Sequence, residues 1–368
     1  MHTQSRYIIL LNKALLTGNA LFFLLFSASA QIPAGYYNSA FGKKQAALKT
    51  AMYNVIKDHD ELTYKDLWTA FQTTDVRNDG KVWDMYSNCT FTFVSEQCGN
   101  YNAVCDCYNR EHSFPKSWFN DAYPMYTDLF HLYPTDGKVN GYRSNYPFGM
   151  VANNTQSELN GTGTKLGQNT IAGYTGIVFE PADEYKGDFA RSYFYMVTRY
   201  ENVVASWYGN AEAKPTINGT AYPAFQSWAI TMLLQWNAAD PVSQKEIDRN
   251  NEIYTNYQHN RNPYIDFPQL AEYVWGDSIT FAFNPYSETD LETLEVFEPL
   301  ACFENACLQV KNLYAPALLR IYNMQGQTVW QAELSAAPYQ TSALPQAVYV
   351  IQLIDRQGRS KTTRLFNR

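Results

Sequence analysis

No segment of this chain is apolar over the length that a bilayer-crossing helix needs. Positive charge is also scarce. Lys+Arg number 28 against 35 Asp+Glu, a net charge of −7. That balance argues against a polyanionic partner unless a local basic cleft sits on an acidic protein. Charged residues make up 17% of the 368 and hydrophobic ones 46%, a globular and not a disordered composition. Cysteines number six. None forms the C-x2-C pair of a structural zinc site, and Cys105-x-Cys107 lacks both that spacing and a second ligand pair. No convincing pair of carboxylates is laid out for glycan hydrolysis.

Aromatics, by contrast, are abundant: 29 Tyr, 21 Phe and 8 Trp. Such side chains build large cores, stacking platforms or sugar-binding surfaces. The length allows more than one domain. Residues 1–30 have the parts of a secretory signal peptide: Arg6 and Lys13, an apolar core at residues 20–26, and Ala28-Ser29-Ala30 before Gln31. An exported chain keeps its cysteines mostly as disulfides. Cys89, Cys98, Cys105 and Cys107 allow three pairings, of which Cys105 with Cys107 is the least comfortable. Cys302 and Cys307 are expected to close a small loop.

Periodicity predicts helices over residues 43–56, 64–71, 187–207, 223–236, 242–257 and 269–275, and a strand over 81–86. Asp240 and Pro241 are expected to cap the helix over 242–257. Residues 151–175, rich in Asn, Gly and Thr, read as irregular loop. Beyond residue 291 the texture changes to short strands, at 307–313, 318–323, 328–334 and 348–354, which suggest a small β-sandwich. Residues 291–368 hold 7 Lys+Arg and 6 Asp+Glu, so the acidic excess belongs to the middle of the chain.

The chemistry concentrates between Arg110 and Asn145. Glu111 offers a carboxylate and Asn140 an amide oxygen, the ligands that a hard cation such as Mg2+ takes. His112 beside Glu111 is a candidate proton acceptor. Asn140 and Arg143, three apart, share a face if the segment is helical, so a metal ligand and a phosphate-binding guanidinium would point the same way. In a regular strand Glu111 and His112 would face opposite ways, so either the strand ends or kinks near Pro115 or only one of them acts. His131 reads as a hydrogen-bonded residue on a strand with Leu129 and Tyr133. Lys116, Lys138 and Arg110 are candidate phosphate contacts.

Three motifs, Arg110-Glu111-His112-Ser113-Phe114-Pro115, Asp128-Leu129-Phe130-His131-Leu132-Tyr133-Pro134 and Val139-Asn140-Gly141-Tyr142-Arg143-Ser144-Asn145, occur in this order. Together with Phe179-Glu180-Pro181, Gly187-Asp188-Phe189-Ala190-Arg191-Ser192-Tyr193 and Asn260-Arg261-Asn262-Pro263, they resemble the endonuclease I family of secreted nonspecific nucleases. The likeness spans roughly residues 36–276. It implies an α+β fold: a mainly helical nuclease domain, residues 31–290, around a ββα-metal (His-Me) finger. Glu111 and Asn140 would hold one Mg2+, with Mn2+ or Ca2+ as alternatives. His112 would activate water for in-line attack on a phosphodiester of DNA, and of RNA as a further substrate, leaving 5′-phosphate products. The finger would bring both Glu111 and His112 to the metal. Some relatives carry an arginine for the scissile phosphate between the finger strands. Here residues 118–127 have none, so Arg143, preferred for its spacing to Asn140, or Arg191 would substitute; Arg191 reads equally as a salt-bridge residue on a helix face.

Residues 291–368 resemble a type IX secretion C-terminal sorting domain, on Ile321-Tyr322-Asn323-Met324-Gln325-Gly326-Gln327, Leu344-Pro345-Gln346-Ala347-Val348-Tyr349-Val350 and the basic end. This implies the type IX secretion machinery as a partner and a secreted or surface-attached monomer without a membrane span. A glycan-acting hydrolase and a noncatalytic nucleic-acid-binding surface protein are the competing readings. The first would ignore divalent cations and leave DNA intact. The second would bind DNA without cutting it.

Overall fold

The computed structural model describes residues 32–285, 300–311, 317–334, 339–355 and 360–367. The expected signal peptide at residues 1–30 lies outside them. The chain divides into two compact units between Phe283 and Asn284. It mixes helix and strand in the manner of an α+β fold, with strands concentrated toward the C-terminus. No helix among the described residues is long and apolar enough to cross a membrane.

In the first unit the helices are α1 (Gln45–Ile56), α2 (Leu67–Thr74), α3 (Gly137–Arg143), α4 (Lys186–Arg199), α5 (Ser227–Ala239), α6 (Gln244–Asn256), α7 (Pro263–Asp266) and α8 (Leu270–Val274). Two small antiparallel sheets accompany them: β1 (Tyr108–His112) with β2 (Leu132–Asp136), and β3 (Lys165–Gln168) with β4 (Ile177–Glu180). The sequence anticipates most of the helices, displaced by a few residues at their ends. Helix α4 stops at Arg199 and a 3-10 turn follows at Val204–Gly209, where one longer helix is expected. Residues 81–86 form no strand; Val82 makes one isolated bridge to Val76. The expected irregular stretch over 151–175 contains β3.

Helix α4 is the centre of this unit, because every residue of it is buried. An amphipathic helix with Arg191 off the apolar stripe is therefore not what the chain builds. Phe189, Tyr193, Phe194 and Val197 fill one continuous aromatic-rich core with residues of α1, α5 and α8. The polar residues of α4 are buried too, and each finds a partner as burial requires. Asp240 does not cap α6; its Oδ2 accepts from Gly187 N at 2.8 Å, at the start of α4. Ser243 is the N-cap of α6 instead, in a capping box with Glu246.

The second unit has a four-stranded and a three-stranded antiparallel sheet. The first contains β7 (Ala317–Tyr322), β8 (Thr328–Leu334), β10 (Ala347–Asp355) and β11 (Ser360–Asn367). The second contains β5 (Leu300–Glu304), β6 (Cys307–Lys311) and β9 (Tyr339–Ala343). Alternation along β7 turns Leu319 and Ile321 inward, where they meet Leu308 and Val310 of β6 in one core. Cys302 and Cys307 are both free, contrary to the expected loop closure. In the hairpin register Cys302 faces Gln309 and Cys307 faces Glu304, so the two thiols are not cross-strand partners.

Candidate active site: a strand–strand–helix unit around Glu111 and His112

β1 and β2 pair antiparallel, with Glu111 opposite Tyr133 and His112 opposite Leu132, and α3 follows β2 directly. The helix starts where it does because Asp136 caps it: Oδ1 accepts from Lys138 N at 2.8 Å and from Val139 N at 2.9 Å. Gly137 and Gly141, one turn apart, let the Tyr101 ring lie across α3. A Cβ at Gly137 would stand 2.7 Å from a Tyr101 ring carbon, and one at Gly141 2.5 Å from the Tyr101 hydroxyl. Two disulfides hold the approach to β1, Cys89–Cys105 and Cys98–Cys107. Of the three pairings open to these cysteines, this is the one adopted, and a zinc site from Cys105-x-Cys107 falls with it. Cys89, Cys105 and Asp136 do cluster. The two sulfurs are joined to each other, however, and Asp136 Oδ2 accepts from Cys105 N, so this trio offers no thiolate to a metal.

Glu111 and Arg143 form the buried heart of the unit. Arg143 Nη1 donates to Glu111 Oε1 at 2.8 Å and to the His112 carbonyl at 2.8 Å, while Nη2 donates to the Ser113 carbonyl. Tyr86 adds a third link, its hydroxyl donating to Glu111 Oε1 at 2.7 Å. Burial raises the Glu111 carboxyl, with the Arg143 guanidinium opposing the shift. Arg143, expected as a phosphate-binding guanidinium, is enclosed at 1% exposure, where it holds Glu111 and the strand end. Arg191 is likewise buried among protein partners. It grips Glu246 with two nitrogens, at 2.5 and 2.8 Å, and donates to Asn237 Oδ1 and the Asp240 carbonyl. Its salt-bridge reading is the one the geometry supports.

His112 faces a different set of partners, as strand alternation requires. Its ring stacks on Tyr126, centroids 5.2 Å apart, and on Tyr64 at 6.1 Å. Nε2 lies 3.0 Å from the Tyr126 carbonyl oxygen. A carbonyl only accepts, so Nε2 carries the hydrogen and Nδ1 keeps its lone pair. Burial, and then the neighbouring His131, push the imidazole well below its ordinary range, so the neutral ring is the resting form. Strand β1 ends at His112. The two side chains therefore have separate partners, bridged by Arg143, which holds one by its carboxylate and the other by its backbone.

Asn140 sits on α3 one turn before Arg143, on the face that Arg143 turns toward β1. It is half-buried, and its amide has no hydrogen-bond partner among the described residues. Glu111 Oε2 likewise takes no side-chain donor. One carboxylate oxygen and one amide oxygen with unused lone pairs fit a hard divalent cation, which completes its shell with water and phosphate. His131 is not on a strand: it ends a 3-10 turn, Leu129–His131, with Nε2 2.7 Å from the Met125 carbonyl oxygen. Of the candidate phosphate contacts, Lys116 is paired with Asp121 at 3.0 Å. Arg110 is sandwiched over Tyr64 at 3.6 Å and Trp68 at 4.3 Å.

Nothing in the sequence marks Tyr86, Tyr64 and Tyr126 as neighbours of Glu111 and His112. Tyr86 lies in a stretch that reads as a strand, and Tyr126 acts through a backbone carbonyl, which leaves no trace in residue types.

With the geometry in view, comparison with known proteins is decisive. The family described as Endonuclease I matches residues 44–269. This chain belongs to the endonuclease I family. It is 38% identical over 244 residues to an extracellular ribonuclease of Bacillus amyloliquefaciens, an alignment covering 65% of this chain and 78% of the relative. An extracellular ribonuclease of Bacillus subtilis (strain 168) is 38% identical over 248 residues, with the same shares of 65% and 78%. Endonuclease-1 of Buchnera aphidicola subsp. Acyrthosiphon pisum (strain APS) is 29% identical over 139 residues, 38% of this chain and 44% of that one. The endonuclease I span contains the whole strand–strand–helix unit and ends before the second compact unit.

Proposed function

We propose that this endonuclease I family member is a secreted, divalent-metal-dependent endonuclease that hydrolyses phosphodiester bonds of RNA and DNA, with His112 as general base. The observation that carries the reading is the contact of His112 Nε2 with the Tyr126 carbonyl, which makes Nε2 the donor and leaves Nδ1 as the proton acceptor of a neutral ring. Nδ1 takes a proton from water, the water oxygen attacks phosphorus in line, and the 3′-oxygen leaves, so the product carries a 5′-phosphate. Glu111 and Asn140 are the residues proposed to hold the cation. When bound, a cation such as Mg2+, Mn2+ or Ca2+ supplies positive charge against the phosphoryl and leaving oxygens. Arg143 orients Glu111 and does not touch phosphate. The ββα-metal finger is the proposed identity of the β1–β2–α3 unit.

Contacts to phosphates hold the strand without reading bases, which leaves the choice of cleavage site only weakly dependent on sequence. Secretion is supported by the residues of the signal peptide at 1–30 and by relatives that are called extracellular. Residues 31–290 are proposed as the nuclease domain. Residues 291–368 are proposed as a type IX secretion sorting domain, which makes that machinery a partner and the cell surface or medium the destination. Loss of export on deleting residues 291–368, with activity retained inside the cell, tests that assignment.

The function is tested by digesting plasmid DNA and a long RNA across a titration of Mg2+, Mn2+ and Ca2+, with a chelator arm. Cleavage that requires the cation and yields 5′-phosphate ends is expected. Cleavage indifferent to chelation overturns the metal assignment, and binding without cleavage under every cation overturns the enzyme.

A further inference from the structure

Immediately past α3 the chain turns at Ser144, whose φ is +52°, and borders a cavity of about 230 Å3. Tyr146, Tyr174, Glu212 and Pro215 stand in its wall with Ser144 and Asn145. The volume is below the roughly 300–1,000 Å3 of sites for drug-sized molecules and suits a single flat ring system.

Two sides of the cavity are aromatic. Tyr174 lies nearly parallel to Trp228, centroids 5.0 Å apart and planes at 18°. The indole is fixed in turn, its Nε1–H donating to the Pro215 carbonyl at 2.6 Å. Gly176 makes room for the Tyr174 ring, since a Cβ there would fall 2.0 Å from the hydroxyl oxygen. Tyr146 is 40% exposed, an open ring at the rim. The third side is a carboxylate: Glu212 Oε2 accepts from the Ser117 hydroxyl at 2.5 Å. Ser117 follows His112 on the same connection, and Ser144 follows Arg143 directly. The cavity is thus linked to the candidate active site twice, through Ser117 on the connection that follows β1 and through Ser144 directly after α3.

We infer that this cavity takes one unpaired nucleobase of the strand being cut, with guanine favoured by Glu212. The inference rests on the nuclease reading and names the substrate feature that this site would select. Aromatic rings stack on any base, so Tyr146 and Tyr174 hold without choosing. Glu212 chooses, because an ionised carboxylate only accepts hydrogen bonds. The Watson–Crick edge of guanine presents two adjacent donors, N1–H and an N2 hydrogen. Adenine and cytosine set their amino group beside an unprotonated ring nitrogen, and uracil sets its N–H between two carbonyl oxygens. Each of those three edges puts a lone pair against the carboxylate; guanine does not. The edge being used is the one that pairing occupies, so the base must come from a single-stranded stretch.

The experiment is to digest a single-stranded RNA of balanced, known sequence with the full chain and Mg2+, and to map the cut ends by sequencing. The wild-type chain is expected to enrich guanine about fivefold or more at one fixed position relative to the cut, the scale of a bidentate base contact. Enrichment should vanish when the same RNA is annealed to its complement. E212Q, which sets an amide donor beside its acceptor, flattens the guanine enrichment. Y174A raises KM on unpaired RNA more than it lowers kcat. A chain that cuts RNA with no base enriched at any fixed position overturns the inference and leaves the nuclease reading standing. Enrichment unchanged in both variants overturns the assignment to this cavity. A chain that cuts no nucleic acid with any divalent cation overturns the nuclease reading itself, and this inference with it.

Discussion

Arg143 Nη1 stands 2.8 Å from both Glu111 Oε1 and the His112 carbonyl oxygen, so one guanidinium nitrogen fixes a side chain and the backbone beside it. Both charges are out of water, with side-chain exposures of 1% and 4%. Removing one partner of such a pair leaves the other uncompensated, which costs about 3–5 kcal/mol. Arg143→Ala is therefore expected to lower the unfolding midpoint strongly, in thermal unfolding followed by circular dichroism. Arg143→Lys keeps the charge but loses the fork that reaches two carbonyls, and should fall between Ala and the wild type. A midpoint unchanged in Arg143→Ala would show that the pair does not hold the strand end.

His112 is held by stacking and one hydrogen bond, and its proposed work is proton transfer. His112→Ala is expected to reduce cleavage of plasmid and RNA by about 10²–10⁴-fold, the usual contribution of a positioned general base. Near-ultraviolet circular dichroism should stay close to that of the wild type. The lowered imidazole pKa has a definite sign in the rate profile. The neutral ring is the active form, so the acid limb of kcat/KM should lie below the ordinary histidine value of about 6.5. An acid limb at or above that value, in a pH profile of kcat/KM, would contradict the burial argument.

Part of this arrangement was legible in the sequence. Glu111, His112 and Asn140 stand out because their residue types carry oxygen ligands and a proton acceptor at close spacing. Alternation along a strand separates neighbouring side chains, and Glu111 and His112 have different partners: Arg143 and Tyr86 for the one, Tyr126 and Tyr64 for the other. What could not be read is which distant group each one meets. Tyr86 reaches Glu111 from 25 positions away, and Glu246 reaches Arg191 from 55. No local period encodes such pairings. Arginines on apolar helices look like exposed residues in a sequence, yet Arg143 and Arg191 are among the largest fully buried side chains. The helices were legible because apolar spacing is local, and their ends shifted because caps such as Ser243 compete with nearby Asp240 on tertiary grounds.

Tyr86 bears on the cation without touching it. Its hydroxyl fixes Glu111 Oε1 at 2.7 Å and so turns Oε2 toward whatever that oxygen binds. Outer partners of metal ligands commonly change metal affinity by about 10–100-fold. Tyr86→Phe keeps the ring in the core and removes only this bond, at about 1 kcal/mol of stability. The Mg2+ concentration for half-maximal cleavage should rise about tenfold, read from a metal titration at saturating substrate. A titration midpoint that does not move would separate Glu111 from the cation.

Asp84 links the cysteine-rich approach to the start of α3. Its Oδ1 accepts from Tyr86 N at 2.8 Å and Asp136 N at 3.1 Å, and its Oδ2 from the Ser87 hydroxyl. Burial pushes its carboxyl up to about 7, against the lowering pull of those hydrogen bonds. An unfolded aspartate titrates near 3.9, so the native state holds this proton over a range where the unfolded chain has lost it. Stability from the protonated group is fully present below about pH 3.9 and is lost as pH rises through about 7. A shift of this size corresponds to a swing on the order of 4 kcal/mol. Asp84→Asn stays neutral throughout, so its stability relative to the wild type should grow from pH 5 to pH 8. Urea unfolding of both chains at those two pH values measures the difference. If the gap between them stays constant, Asp84 is ionised in the folded protein across the range, and the hydrogen bonds it accepts outweigh its burial.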